Sequence, residues 1–188
     1  MRKGRLFIIS GPSGTGKGTI CKRIVQEDPN IRFSVSVTTR NPREGEIHGR
    51  DYFFISKDEY MLLLEQDGFL EHASVYGSTL YGTPKEPVQK WLEEGTDVIL
   101  EIDVQGAFQV KKNEPDCVMI FILPPSLEEL KARILKRGSE TEETMAARLG
   151  EAQKEIDQAP LYDYQVVNAD LDRAVEEVRG IIEKERNK

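Results

Sequence analysis

The chain has 188 residues, of which 38% are hydrophobic and 31% charged, enough for one domain with its own core and far from either a membrane-spanning or a disordered composition. There are 26 Lys and Arg against 33 Asp and Glu, a net charge of −7, which lacks the basic field that nucleic-acid backbones require as partners. Two cysteines, Cys21 and Cys117, with His48 and His72 are too few for a disulfide scaffold or a zinc cluster. The apolar run from Leu6 to Ile9 is too short for a signal peptide or a spanning helix, so a cytoplasmic protein with buried thiols and no membrane partner is expected.

In chain order, Leu6–Ser10 reads as a buried strand, followed by a glycine-rich turn and a helix whose Ile20 and Ile24 share one face. Past Phe33 the texture changes to short β-prone pieces (33–39 and 51–55), a polar loop over 41–49 and a helix over 57–66. Capping signals open helices at Ser56 with Glu59, at Thr83 with Pro84 and Glu86, and at Ser126 with Glu129, while Gly95 and Gly138 suit helix ends. The runs 97–103 and 118–123, like 6–10, add strands with continuous rather than alternating hydrophobicity, as strands covered on both faces show, and 164–168 is a fourth strand candidate. Asp170 then caps a final helix carrying Leu171, Ala174, Val175, Val178, Ile181 and Ile182 at helical spacing. The alternation predicts an α/β fold, a parallel sheet with flanking helices. Its core comprises 1–33, 90–136 and 159–188, with an inserted mixed α+β subdomain over 34–89 and a charged helical lid over 137–158.

The most specific motif is Gly11-Pro12-Ser13-Gly14-Thr15-Gly16-Lys17-Gly18-Thr19, placed between a strand and a helix. Glycines let backbone N–H groups converge on phosphate oxygens, the helix presents its positive end, and Lys17 neutralises β/γ-phosphates, so the segment reads as an ATP-binding P-loop. Gly18 stands where such loops carry a Ser or Thr for Mg²⁺, with the hydroxyl displaced to Thr19; Mg²⁺ is then expected to be held through ATP phosphates and water. Gly-Lys-Gly-Thr resembles the loop of adenylate and UMP/CMP kinases, whereas Gly-Pro-Ser-Gly-x-Gly-Lys resembles that of guanylate kinases.

The stretches Phe33-Ser-Val-Ser-Val-Thr-Thr-Arg40-Asn-Pro-Arg43 and Gly49-Arg-Asp-Tyr52-Phe-Phe, with Glu71, Tyr81-Gly82-Thr83, Glu101-Ile-Asp103-Val-Gln105-Gly106, Arg137-Gly138 and Arg148, resemble the guanylate kinase family over nearly the whole chain. That resemblance implies a GMP site made of Ser36, Arg40, Arg43, Tyr52, Glu71, Tyr81, Thr83, Asp103, Gln105 and Gly106. Arg133, Arg137 and Arg148 resemble lid arginines, and Asn168 a residue of the adenine end. The residues read alone agree in part: two arginines three apart can fork a phosphate, and a carboxylate matches the adjacent N1–H and N2–H₂ donors of guanine. Simpler readings stand beside these. Thr83 is also a plain helix cap, Glu71 an acid after a turn, and Arg133 the partner of Glu129 one helical turn away. Glu101 and Asp103 end a buried strand beside the loop and are candidates for the outer sphere of Mg²⁺. The segment Tyr76–Tyr81 is one residue longer than the family's spacing.

The implied reaction is ATP-dependent phosphorylation of GMP, and of dGMP, to the diphosphate with release of ADP. Its nucleophile is already an anion, so no general base is required. Catalysis would rest on Lys17, Arg40, Arg43, Arg133, Arg137, Arg148 and Mg²⁺. A kinase for another base would fit Gly18-Thr19, and a guanylate-kinase-like peptide-binding module would fit the fold without Lys17 and the lid arginines in use.

Overall fold

The structure, a computed structural model, describes residues 2–75, 79–136 and 142–188. Their elements run β1 (Leu6–Ser10), α1 (Lys17–Glu27), β2 (Ile31–Phe33), β3 (Val37–Thr38), β4 (Phe53–Phe54), α2 (Lys57–Glu65), β5 (Phe69–Val75), β6 (Thr79–Pro84), α3 (Lys85–Glu93), β7 (Asp97–Glu101), α4 (Val104–Asn113), β8 (Val118–Leu123), α5 (Leu127–Leu135), α6 (Glu142–Ile156), a 3-10 turn (Ala159–Leu161), β9 (Tyr164–Val167) and α7 (Leu171–Arg186).

Five of the described strands pair in the order β2-β7-β1-β8-β9, and every pairing is parallel. Each residue of β1 is buried, because alternate side chains enter different cores. Phe7 and Ile9 pack with Ile20, Cys21 and Ile24 of α1 and with Val175, Val178 and Ile182 of α7. Leu6 and Ile8 pack with Val88 and Leu92 of α3 and with Val104, Ala107 and Val110 of α4. Full burial of each such aliphatic side chain contributes about 1.5–3 kcal/mol, so β1 is held from both sides and the turn that follows it is anchored rigidly. Both cysteines are buried, and burial pushes the Cys117 thiol up to about 11.

The acid that starts β7 ties the chain's two ends to the sheet. Asp97 is fully buried, pairs with Arg186 and Arg2, and accepts from the Arg5 backbone N–H at 2.7 Å. Among the described residues no helix is long and apolar enough to cross a membrane.

The insertion builds a second sheet of four described strands in the order β4-β3-β6-β5, packed around Val37, Tyr60 and Phe69. A full capping box at Ser56 and Glu59 opens α2. The expected box at Thr83 is not formed. Pro84 is the residue before α3 and offers no side-chain cap, while the Thr83 hydroxyl is spent elsewhere. The expected boundary at 89 falls inside α3, whose Val88 and Leu92 belong to the main core. Gly138 lies outside the described residues. Ser126 caps α5 as expected, accepting from the Glu129 N–H at 3.1 Å. The lid helix α6 packs Met145 and Ala152 against Leu130 and Ile134 of α5.

Candidate active site

The loop between β1 and α1 is shaped by contacts that leave no room for side chains at two glycines. Gly11 has φ +149, and a Cβ there would lie 2.3 Å from the Ile122 carbonyl oxygen of β8; Gly16 has φ +85, and a Cβ there would lie 2.5 Å from Asn168 Nδ2. The same Asn168 nitrogen donates to the Thr15 carbonyl at 2.7 Å. Thr15 is fully buried and its hydroxyl donates to the Pro12 carbonyl at 2.9 Å, so its side chain organises the loop. Lys17 opens α1, with Nζ resting 3.4 Å from the Pro12 carbonyl. The groups that remain around the loop's mouth, a cleft of about 300 Å³, include Ser13, Lys17, Gly18, Thr19 and Glu101.

Glu101 lies close to the glycine at position 18. A Cβ on Gly18 would lie 3.3 Å from Glu101 Oε2, a tight contact that a small shift of the carboxylate at the end of β7 relieves. A neighbouring cleft of about 650 Å³ is lined by Ser36, Arg50, Tyr52 and Glu101. Gly18, Lys22 and Glu101 border both clefts. The two cavities therefore meet at the carboxyl edge of the sheet, where ligands bind in open α/β folds. A concavity at the opposite edge, lined by Arg5, Lys111, Asp163 and Lys184 among others, pairs its charges internally, as Lys111 does with Asp163 at 3.5 Å.

On the insertion side, Glu71 of β5 is buried, 7% exposed. Its Oε1 accepts the Thr83 hydroxyl at 2.6 Å. Oε2 lies at the first turn of α4, 3.1 Å from where a Cβ on Gly106 would stand, with Asp103 Oδ1 at 3.4 Å from the same point. Desolvation raises the Glu71 pKa; the Thr83 hydrogen bond opposes this and the Asp103 charge adds to it. Asp103 itself caps α4, accepting the Gly106 N–H at 2.7 Å. Gln105 is exposed on the same turn. A Gly106→Ala change adds helix propensity worth about 1 kcal/mol while crowding the Glu71 carboxylate. We expect unchanged or higher thermal stability together with a several-fold higher KM for the nucleotide acceptor, measured by melting and steady-state kinetics.

Arg40 stands over the Tyr52 ring at 5.1 Å and donates Nε to the Tyr81 hydroxyl at 3.3 Å. Its two terminal nitrogens pair with Glu46 at 2.6 and 2.8 Å. This fork holds the Glu46 carboxyl down at about 2. Arg43 does not share the fork: its backbone N–H donates to Glu46 at 2.8 Å while its side chain is exposed. The Ser36 carbonyl accepts the Phe53 N–H at 2.9 Å.

At the other end of the loop, Arg133 bonds Glu129 at 3.1 Å, the helical pairing expected of it, and donates to the Asn168 carbonyl at 3.1 Å. Asn168 is 5% exposed. Its side chain supports the loop from beneath instead of standing open at an adenine site. Arg148 is exposed on α6. Arg137 and residues 76–78, part of the stretch that exceeds the family's spacing, lie outside the described residues.

Sequence reasoning passes over several residues that the fold brings to the site. Glu46 pairs with Arg40 across a loop, with no helical spacing to signal it. Lys22 is one lysine among many on a charged helix face, although its place five residues after Lys17 is a usable clue. Glu155 of α6 is half-buried, and burial raises its pKa against the opposing charge of Lys17; its neighbour Ile156 packs on the main core, which turns this part of α6 inward.

Comparison with known proteins agrees with this architecture. The family model described as guanylate kinase matches residues 3–185. The chain is 55% identical to the guanylate kinase of Clostridium tetani over 186 residues, covering 99% of this chain and 88% of that one. It is 53% identical to that of Caldanaerobacter subterraneus over 185 residues, covering 98% and 89%. The crystal structure of guanylate kinase from Anaplasma phagocytophilum superposes with a TM-score of 0.79 at 34% identity, covering all of this chain and 88% of that one. The match spans the phosphate loop, the insertion and the lid alike, and on that ground the chain belongs to the guanylate kinase family.

Proposed function

We propose that the guanylate kinase reaction, transfer of the ATP γ-phosphoryl group to GMP with release of ADP, runs across the two clefts that meet at Gly18, Lys22 and Glu101. The observation that carries this reading is the buried Glu71 carboxylate, held by the Thr83 hydroxyl and set beside the first turn of α4. Guanine offers N1–H and N2–H₂ as adjacent donors, and an ionised carboxylate is acceptor-only with several lone pairs to meet them. Thr83 holds one oxygen in place without using all of its acceptor capacity. Adenine has no such donor pair, and a site built on hydrogen bonds rejects a ligand lacking them. GMP is the acceptor, and dGMP fits the same contacts because they address the base.

Arg40, Tyr52 and Tyr81 form the acceptor-phosphate cluster, with Arg43 at its rim. Glu46 keeps the Arg40 guanidinium aimed before substrate arrives, so little reorganisation is needed at binding. Backbone N–H groups of the glycine-rich stretch from Gly14 to Thr19, at the start of α1, cradle the ATP phosphates, with the Thr15 N–H kept for the Pro12 carbonyl. The acceptor oxygen is already charged, so the protein's contribution is positioning and charge neutralisation by Lys17 and the arginines, not proton removal. Arg133, Arg137 and Arg148 act from the lid side.

Mg²⁺ fits the donor set present: Thr19 and Glu101 offer hard oxygen donors at the mouth of the loop, and with Asp103 at the head of α4 they would hold the ion through its water molecules while ATP phosphates carry it. Bound with ATP, it neutralises phosphate charge. We assign residues 34–89 to acceptor binding and 137–158 to closure over both nucleotides.

The test incubates the purified protein with Mg²⁺–ATP and, separately, GMP, dGMP, AMP, UMP and CMP, and resolves products by ion-exchange chromatography. GDP and dGDP are expected, with at least about 100-fold lower rates on AMP and UMP. Comparable rates on AMP would overturn the guanine assignment of Glu71.

A further inference from the structure

β5 is the outer strand of the insertion's sheet, and its register slips between Phe69 and Glu71, so that Phe69 faces Pro84 and Glu71 faces Thr83. Leu70 is thus the extra residue of a β-bulge, immediately before the guanine-reading acid. A bulge re-aims the side chain that follows it and leaves backbone groups without a strand partner. Here the carbonyl of the bulged Leu70, and the outward-facing backbone groups of the open edge at His72, are taken up from outside the sheet by two amide side chains of α4, one helical turn apart. Asn113 Nδ2 donates to the Leu70 carbonyl at 2.9 Å. Gln109 closes a two-point pair with His72, accepting its N–H at 3.1 Å and donating to its carbonyl at 3.1 Å.

The two clamps bracket Glu71. Its side chain returns to the same helix one turn earlier, at Gly106, and the side chain of Leu70 is fully buried in the core that also holds Val104, Ala107 and Val110 of α4. Three consecutive residues of the strand are therefore fixed to one helix by three different means: packing, backbone capture and close approach of a carboxylate.

We propose that Gln109 and Asn113 are positioning residues for base selection, which hold the bulged edge of β5 against α4 so that the Glu71 carboxylate stands at the depth where it meets both guanine donors. The inference deepens the reading of Glu71 as the guanine acceptor and rests on it. Neither amide touches the nucleotide. Loss of the clamps lets the strand edge shift by a fraction of an ångström, which weakens a pair of directional hydrogen bonds while leaving the phosphate loop unaltered.

The test compares wild type, Glu71→Gln, and the double variant Gln109→Met with Asn113→Leu, each checked by circular dichroism and thermal melting. Substrates are GMP and inosine monophosphate, which lacks the 2-amino donor. The double variant is expected to raise KM for GMP and to lower the GMP-to-IMP ratio of kcat/KM by about 10-fold, with kcat at saturating GMP and KM for ATP within about 3-fold of wild type. If the double variant does not fold, Gln109→Met alone decides, since it keeps length and volume and deletes only the amide pair. A GMP-to-IMP ratio within about 2-fold of wild type in the folded variant overturns the clamp. So does an equal rise in KM for ATP, which marks general damage. A Glu71→Gln protein that still selects GMP over IMP as wild type does removes the guanine-reading role itself, whereas a changed ratio there with an unchanged one in the clamp variant removes only the clamp.

Discussion

Lys17→Met is expected to lower kcat for GDP formation by about 10²–10³-fold, the usual loss when one preorganised charge at a developing transition state is removed. The substitution keeps the length of the side chain and the start of α1. Among the described residues the ammonium's hydrogen bond to the loop goes to the Pro12 carbonyl at 3.4 Å, a contact too long to contribute much to folding. Melting temperature should therefore stay within a few degrees of wild type. The loop's own shape comes from elsewhere, from Asn168 beneath Thr15 and from the close approach of Gly11 to Ile122. Turnover and stability should separate cleanly. A folded Lys17→Met protein with near-normal turnover would remove the loop from the reaction.

Much of the core sheet can be read from the chain because β1 and β8 are buried along nearly their whole length and carry their signal in consecutive residues; the runs at 6–10 and 118–123 coincide with β1 and β8, the run at 97–103 overshoots β7 by two residues, and β9, with only Val166 buried, falls within one residue of the run at 164–168. β2 is hidden by its length and its place. Ile31–Phe33 has only Ile31 buried, with Phe33 packed partly against the core, and it pairs with β7 alone, so three residues carry little signal. The β5–β6 hairpin is harder still: at Glu71-His72 and at Gly82-Thr83 neither of two neighbouring residues is a large apolar one, which breaks the alternation of a half-buried strand, and a bulge shifts the register at Leu70. The phosphate loop is legible because its chemistry is local, nine consecutive residues between a strand and a helix.

The proposed acceptor site is not local. Glu71, Thr83, Asp103 and Gly106 come from β5, β6 and the head of α4, and only the family resemblance could gather them beforehand. Thr83 illustrates the limit: followed by Pro84 and Glu86 it has every mark of a helix cap, yet its hydroxyl serves a carboxylate 12 residues earlier in the chain. The arginine pair shows the reverse error. Spacing suggests that Arg40 and Arg43 act as one fork, whereas Glu46 claims the Arg40 guanidinium and the loop turns Arg43 outward.

Glu71→Gln is expected to reduce kcat/KM for GMP by about 100-fold while making the protein more stable near neutral pH. The loss follows from replacing charge-assisted acceptors, worth about 1.5–3 kcal/mol each, with an amide that presents a donor to the guanine donors. The gain follows from burial. Desolvation raises the Glu71 pKa in the folded protein, so between the ordinary glutamate value and the raised one the folded state binds more protons than the unfolded chain. Across that window stability falls as pH rises, the reverse of the effect of a salt-bridged carboxylate. Glutamine carries no charge to desolvate, and the variant's stability should lose that slope. The same titration governs binding with the opposite sense: as pH falls through the raised value, wild-type Glu71 gains a proton, loses an acceptor, and KM for GMP rises while KM for ATP stays level. Thermal melts and KM profiles over the same pH series test both halves. A Glu71→Gln protein that is less stable at neutral pH, or a wild-type KM for GMP that is flat across the acid range, would show that the buried carboxylate is held for the fold and not for the base.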